Sequence, residues 1–254
     1  MAGLERAVQY DVFFSISQTP AGGVLPSEAD MFRKFFAEVE AADALGYETA
    51  WIAQSHLSSE VQKRHKRPVI PHWEGEIGLN VDIFQLAHHI LSRTESIEVG
   101  SAVANILTMG GPIAAAERLA YFATLRGLRP DDSRRLHLGF AAGRFDFMNR
   151  AAGVVARDAV EQAAGRAMKG KTFDEAAEIF CRLVRGDILS SEDIAPRSLS
   201  REDFRSDEDW ERVLAAHGSQ AESIELRRRY AFEPLQIVPR DWQRERVQLI
   251  VGSH

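Results

Sequence analysis

A chain of 254 residues, 45% hydrophobic and 27% charged, holds enough apolar material for one large α/β domain and too much for a disordered segment. Its net charge of −6 argues against a broad nucleic-acid or membrane surface, and its one cysteine, Cys181, excludes an internal disulfide and a cysteine-rich zinc site. Met1 to Gln9 has no apolar signal core, and the longest apolar stretch, Ala102 to Ala116, is broken by Asn105, Thr108, two glycines and Pro112, so a soluble, cytoplasmic protein is expected.

Tyr10 to Ser17 is rich in Val, Phe and Ile and predicts a first strand, followed by a polar loop, Gln18 to Pro26. Ser27 suits the cap of a helix with Phe32, Phe35, Phe36, Val39 and Ala42 on one face, and Gly46 suits its end. Thr49 to Ala53 is the second strand. The loop from Gln54 to Asn80 is longer than a βα connection needs, and loops of that length usually carry function or disorder. Val81 to Ser92 reads as a helix and Ile97 to Val103 as the third strand, leaving through Ala104, Asn105 and the Gly110-Gly111-Pro112 break. A helix over Ile113 to Leu125 leads to the fourth strand, Arg135 to Phe140, which ends in Ala141-Ala142-Gly143.

Beyond it, helices are expected at Arg157 to Met168 and Phe173 to Val184. Residues 190–230 are densely charged, with helical pieces at Asp207 to Ala216 and Ala221 to Tyr230; they read as a charged helical insertion with no chemistry of its own. Extended pieces follow at Leu235 to Val238 and Val247 to Val251. Strands alternating with helices predict a parallel sheet. The expectation is therefore an α/β fold of the TIM (β/α)8-barrel type, incomplete, with about five strands present and the C-terminal strands missing. Residues 1–254 would form a single domain truncated at its C-terminus, with a barrel edge exposed.

The segment from Ile97 to Gly153, IEVGSAVANILTMGGPIAAAERLAYFATLRGLRPDDSRRLHLGFAAGRFDFMNRAAG, resembles the core of the luciferase-like flavin-dependent monooxygenase family. LGYETAWIAQSH, Leu45 to His56, is similar to that family's second strand, and VQLIVGS, Val247 to Ser253, to its fifth. The likeness covers most of residues 8–180 and 231–254. It implies a flavin, FMN delivered reduced by a separate flavin reductase, that works with molecular oxygen to oxygenate a small organic substrate. By resemblance, Ala102 and Val103 lie beneath the ring, joined by a bond that is often cis in the family. Ala142 stands where the family has a phosphate-binding arginine, with Arg144 two residues on as its replacement and Gly143 between them. Ser253 matches a phosphate-binding position. His56 matches the second of a pair of family histidines, the first being replaced by Ser55, so luciferase chemistry itself is not expected. His56 is the candidate for proton handling, since an imidazole titrates near neutral pH. A homodimer is carried over by the same resemblance.

Each of these residues also has a plainer reading. His56 suits a hydrogen-bonded strand-end histidine, and Asn105 suits either a flavin contact or a cap of its own strand exit. An Ala-Asn-Ile exit is also compatible with the deazaflavin-using branch of the family and hydride transfer, and a non-catalytic flavin-binding protein is a further alternative. The run Lys63 to Arg67, KRHKR, reads as a solvated loop, because no aromatic residues interleave it. His88 and His89 lie mid-helix with one facing solvent; Glu117 reads as a helix anchor, and Trp51 and Trp73 as packing residues. No metal site, dinucleotide-binding GxGxxG or GxSxG elbow is present.

Overall fold

In the computed structural model, which describes residues 8–65, 72–242 and 244–252, the first strand β1 is the short segment Val12–Phe14. Helix α1, Glu28–Ala44, begins where the Ser27 side chain accepts the Asp30 N–H, which satisfies one orphan donor of the first turn. Met31, Phe35, Val39 and Ala42 are its buried stripe, with Phe35 edge-on to Phe14 at 5.7 Å. Phe32 and Phe36 flank that stripe, half-buried. Gly46 takes φ +81°, the left-handed conformation that ends the helix.

Strand β2, Thr49–Ile52, pairs in parallel with β1, Val12 facing Ala50. A short helix α2, Ser59–Lys63, then interrupts the long loop, and α3, Ile83–Arg93, is capped by the Asp82 carboxylate accepting from Phe84 and Gln85. Strand β3, Glu98–Asn105, enters the sheet from a turn held by Asp43, whose carboxylate accepts the N–H groups of Glu95, Ser96 and Ile97 at 2.7 to 2.9 Å. Burial alone would raise the Asp43 carboxyl, but these bonds outweigh it and hold it below the ordinary range. Helix α4, Gly111–Gly127, leads to β4, Leu136–Ala141, every residue of which is buried, as expected of a central parallel strand.

Three helices follow: α5, Asp146–Ala151; α6, Ala159–Ala164; and α7, Arg166–Arg185. Strand β5, Arg197–Ser200, helix α8, Asp207–His217, and strand β6, Ser223–Leu226, come next, β5 and β6 forming an antiparallel pair. The last strand, β7, Val247–Val251, lies parallel to β4. The main sheet has the order β1-β2-β3-β4-β7 and, among the described residues, is not closed into a barrel.

The chain divides into two units, Met1–Ala104 with Phe122–Ala141 and Gln243–His254, and Asn105–Tyr121 with Ala142–Trp242. The first contains most of the sheet. Its edges carry exposed apolar side chains, among them Tyr10, Phe13 and Val251. The second has a core of its own in which Met168, Leu199, Trp210, Val213, Ile224 and Leu226 pack together.

Three expectations are corrected here. Residues 221–230, expected to be helical, contain β6: alternate residues are buried, so Ile224 and Leu226 face the core while Ser223 and Glu225 face out. The helix expected over 157–168 breaks at Gly165, φ +52°, into α6 and the start of a longer α7. Glu117 is exposed on α4 and anchors nothing by burial.

Candidate functional site

In a parallel sheet the chemistry gathers at the C-terminal ends of the strands, so the exits of β2, β3 and β4 are the places to look. After β2, the Gln54 amide nitrogen lies 3.0 Å from His56 Nε2, in a half-buried setting. The two described parts of the loop beyond, 57–65 and 72–80, are bonded to each other. The Glu76 carboxylate accepts the Ser58 hydroxyl, the Ser59 N–H at 2.6 Å and the Ser59 hydroxyl at 2.8 Å. Burial would raise that carboxyl, but these donors hold it below its usual value. Lys63 donates to the carbonyls of Trp73 and Gly75 and pairs with Glu60 at 2.5 Å. The basic run is thus bound into the loop at its first residue; Lys66 and Arg67 lie outside the described residues. Two polar groups here, Gln54 Oε1 and the Trp73 indole N–H, are buried with no hydrogen-bond partner among the described residues.

On β3, the Ala102–Val103 peptide is cis, and both residues are half-exposed. Gly100 leaves room for the Trp51 ring, which a Cβ there would overlap, and the Trp51 indole N–H donates to Asp11 at 2.9 Å. Trp51 is therefore a packing residue.

Asn105 is 3% exposed and both ends of its amide are engaged. Its oxygen accepts the Leu107 N–H at 3.1 Å, and its nitrogen donates to Asn149 Oδ1 at 2.7 Å. The Asn149 amide donates in turn to the Ala142 carbonyl at 3.0 Å. Gly143, φ +74°, lies so close to the Asn105 amide that any side chain would collide with it. Asn105 thus caps its strand exit and, through Asn149, holds the backbone at Ala142. Asn149 was not legible as a site residue: it is one asparagine on a six-residue helix, α5, that sequence periodicity does not reveal.

Ala142 and Gly143 are half-exposed. Arg144 is exposed, its guanidinium 5.6 Å from the centre of the Phe145 ring, and it has no anionic partner among the described residues. Ser253 lies outside the described residues. His88 and His89 are packing residues: His88 lies against Phe122 with ring centres 4.5 Å apart, and the exposed His89 meets Phe36 at 4.5 Å. Among the described residues no helix is long and apolar enough to cross a membrane.

The parallel strands with helical crossovers define an α/β fold of the (β/α)8-barrel type. A family model described as luciferase-like monooxygenase matches residues 10–206, and the chain belongs to that family. Among solved structures, the monooxygenase RslO1 from Streptomyces bottropensis is similar at 15% identity and a TM-score of 0.56, over 96% of this chain and 53% of that one. An F420-dependent secondary alcohol dehydrogenase in complex with an F420–acetone adduct is similar at 13% identity and a TM-score of 0.51, over 96% and 52%. At these identities the likeness shows the fold alone. The chain spans about half the length of both structures. No curated protein matches the sequence.

Proposed function

We propose that the chain is part of an oxidoreductase that uses reduced FMN, delivered by a separate reductase, and molecular oxygen to oxygenate a small organic substrate. The observation that carries this reading is the family match over residues 10–206, which takes in the exits of β2, β3 and β4 together. The residues at those exits are compatible with a flavin. Ala102 and Val103 at the exit of β3, and Ala142 and Gly143 after β4, are each small or short and half-exposed. Arg144 is an uncommitted cation, the chemistry a flavin phosphate requires.

When bound, the flavin supplies the redox chemistry and the activation of oxygen. The chain's own residues do the rest. By the family resemblance, Ala102 and Val103 would support the ring and Arg144 and Ser253 would hold the phosphate, whereas the Asn105 amide is already engaged in fixing its strand exit. His56 handles a proton at Nε2, oriented by the Gln54 amide. A second reading, hydride transfer with a deazaflavin, rests on the Ala104-Asn105-Ile106 exit of β3.

The test is a fluorescence titration of the full chain with FMN and with riboflavin, repeated for Arg144→Gln. FMN should saturate, and Arg144→Gln should weaken FMN about tenfold, as loss of a charge-assisted hydrogen bond implies, while leaving riboflavin unchanged. Absence of saturable FMN binding, oxidised or reduced, would sink the proposal. Equal losses for FMN and riboflavin would remove Arg144 as the phosphate residue.

A further inference from the structure

The second unit contains a cavity of about 500 Å3 that the proposed reaction does not use. A volume of this order suits a small organic molecule rather than a bare ion. Four basic side chains line it, Arg150, Arg166, Lys169 and Arg229, against two acidic ones, Asp146 and Glu161.

The acids are already committed. Asp146 pairs with Lys169 at 2.9 Å. Glu161, 3% exposed, pairs with Arg157 at 2.5 Å and with Arg229 at 3.8 Å. Arg229 also donates to the carbonyls of Val155 at 2.8 Å and Gly153 at 2.6 Å, so it serves the wall of the cavity. Arg150 and Arg166 are left over: neither has an acidic or carbonyl partner among the described residues.

Two further features face the cavity. Thr172 lines it while only 2% exposed, and its hydroxyl has no hydrogen-bond partner among the described residues. Helix α7, 20 residues long, starts at Gly165 with no side-chain cap, so no side chain caps its first-turn N–H groups. Val154, Val155 and Met168 supply apolar wall between these polar points.

We propose that this cavity binds a small amphiphilic anion, its charged head on Arg150, Arg166 and the Thr172 hydroxyl and its apolar body against Val154, Val155 and Met168, through residues other than those assigned to the flavin. Two guanidinium groups match a carboxylate or a phosphate head by the same bidentate geometry.

The experiment is calorimetric titration of the full chain with octanoate, with hexyl phosphate as the alternative head and 1-octanol as the uncharged control. Both arginines are exposed, so the double variant Arg150→Gln, Arg166→Gln keeps the fold, which circular dichroism checks. One-to-one binding of octanoate or hexyl phosphate is expected, weakened at least tenfold in the double variant and severalfold in Thr172→Val, with 1-octanol binding far more weakly. The proposal is overturned if neither anion saturates at millimolar concentration, if the double variant binds as well as the parent, or if 1-octanol matches octanoate. Displacement of octanoate by FMN but not by riboflavin also overturns it, by assigning these cations to the flavin phosphate. An intact octanoate isotherm in a chain that binds no FMN supports this site and counts only against the flavin reading.

Discussion

Glu98 is the best single place to perturb the sheet, because one carboxylate ties together three of its strands. Standing at the start of β3, it accepts Arg135 Nε at 3.1 Å, a second guanidinium nitrogen at 3.2 Å and the Arg135 backbone N–H at 3.2 Å. It also bonds His137 Nε2 on β4, and His137 Nδ1 lies 2.8 Å from Gln248 Oε1 on β7. Burial by itself would raise the Glu98 carboxyl, but the bonds from His137 and Arg135 outweigh it and hold it at about 2, against a usual 4.5. A depression of that size corresponds to at most about 3.4 kcal/mol of stability at neutral pH. The Glu98 side chain is 20% exposed and that of Arg135 47%, so solvent screening brings the expected figure down to about 1–2 kcal/mol. Because the folded-state value is depressed, the contribution is present above the unfolded value of about 4.5 and is lost as pH falls toward about 2. Glu98→Gln should therefore lower stability by about 1–2 kcal/mol at pH 7, and by less than about half of that at pH 3. Urea unfolding followed by tryptophan fluorescence at the two pH values reads the difference. The other depressed acids, Asp30, Asp43, Glu76, Asp132, Asp187 and Asp193, titrate alike in both proteins and cancel. An equal loss at both pH values would refute the electrostatic argument and leave only packing; no loss at either would refute the link between the strands.

Gly100→Ala should destabilise by about 1–3 kcal/mol, since the new Cβ would overlap the Trp51 ring; thermal melting checks it, and adding Trp51→Leu should restore part of the loss. Asn149→Ala leaves the buried Asn105 amide and the half-buried Ala142 carbonyl without their partner, and should cost about 1–3 kcal/mol in urea unfolding. A loss below about 0.5 kcal/mol would mean that water replaces the amide. The Tyr230 phenol, raised by burial and then by Glu175, should titrate at about 12 in ultraviolet absorbance. Glu175→Gln should lower that midpoint, and should also weaken the turn whose Arg229 and Tyr230 N–H groups the carboxylate accepts at 2.8 to 3.0 Å.

How much of this was legible depended on the range over which each feature is encoded. The strands β2, β3 and β4 and the helices between them follow from local patterns: the apolar run at Ile97 to Val103, the Ser27 cap, the Gly46 stop. The family likeness at Ile97 to Gly153 needed only those same contiguous residues. Features that depend on distant partners were not readable. Nothing near Asn149 announces that it will bond Asn105, 44 positions earlier. Glu98 and His137 look like an edge charge and a strand histidine until the register of the sheet brings them together. The segment 221–230 was misread because its charge suggests a solvated helix, whereas Ile224 and Leu226 needed a period-two pattern to reach the core formed with Leu199 and Trp210. For Asn105, two roles were open from sequence; its engaged amide favours the capping role.

An anaerobic titration of the full chain with reduced FMN, beside reduced deazaflavin, decides which cofactor the chain takes. Reduced FMN should bind saturably and more tightly than the deazaflavin. Saturation by the deazaflavin alone would turn the reading to hydride transfer, and binding of neither would contradict the assignment of a flavin-type cofactor to this chain.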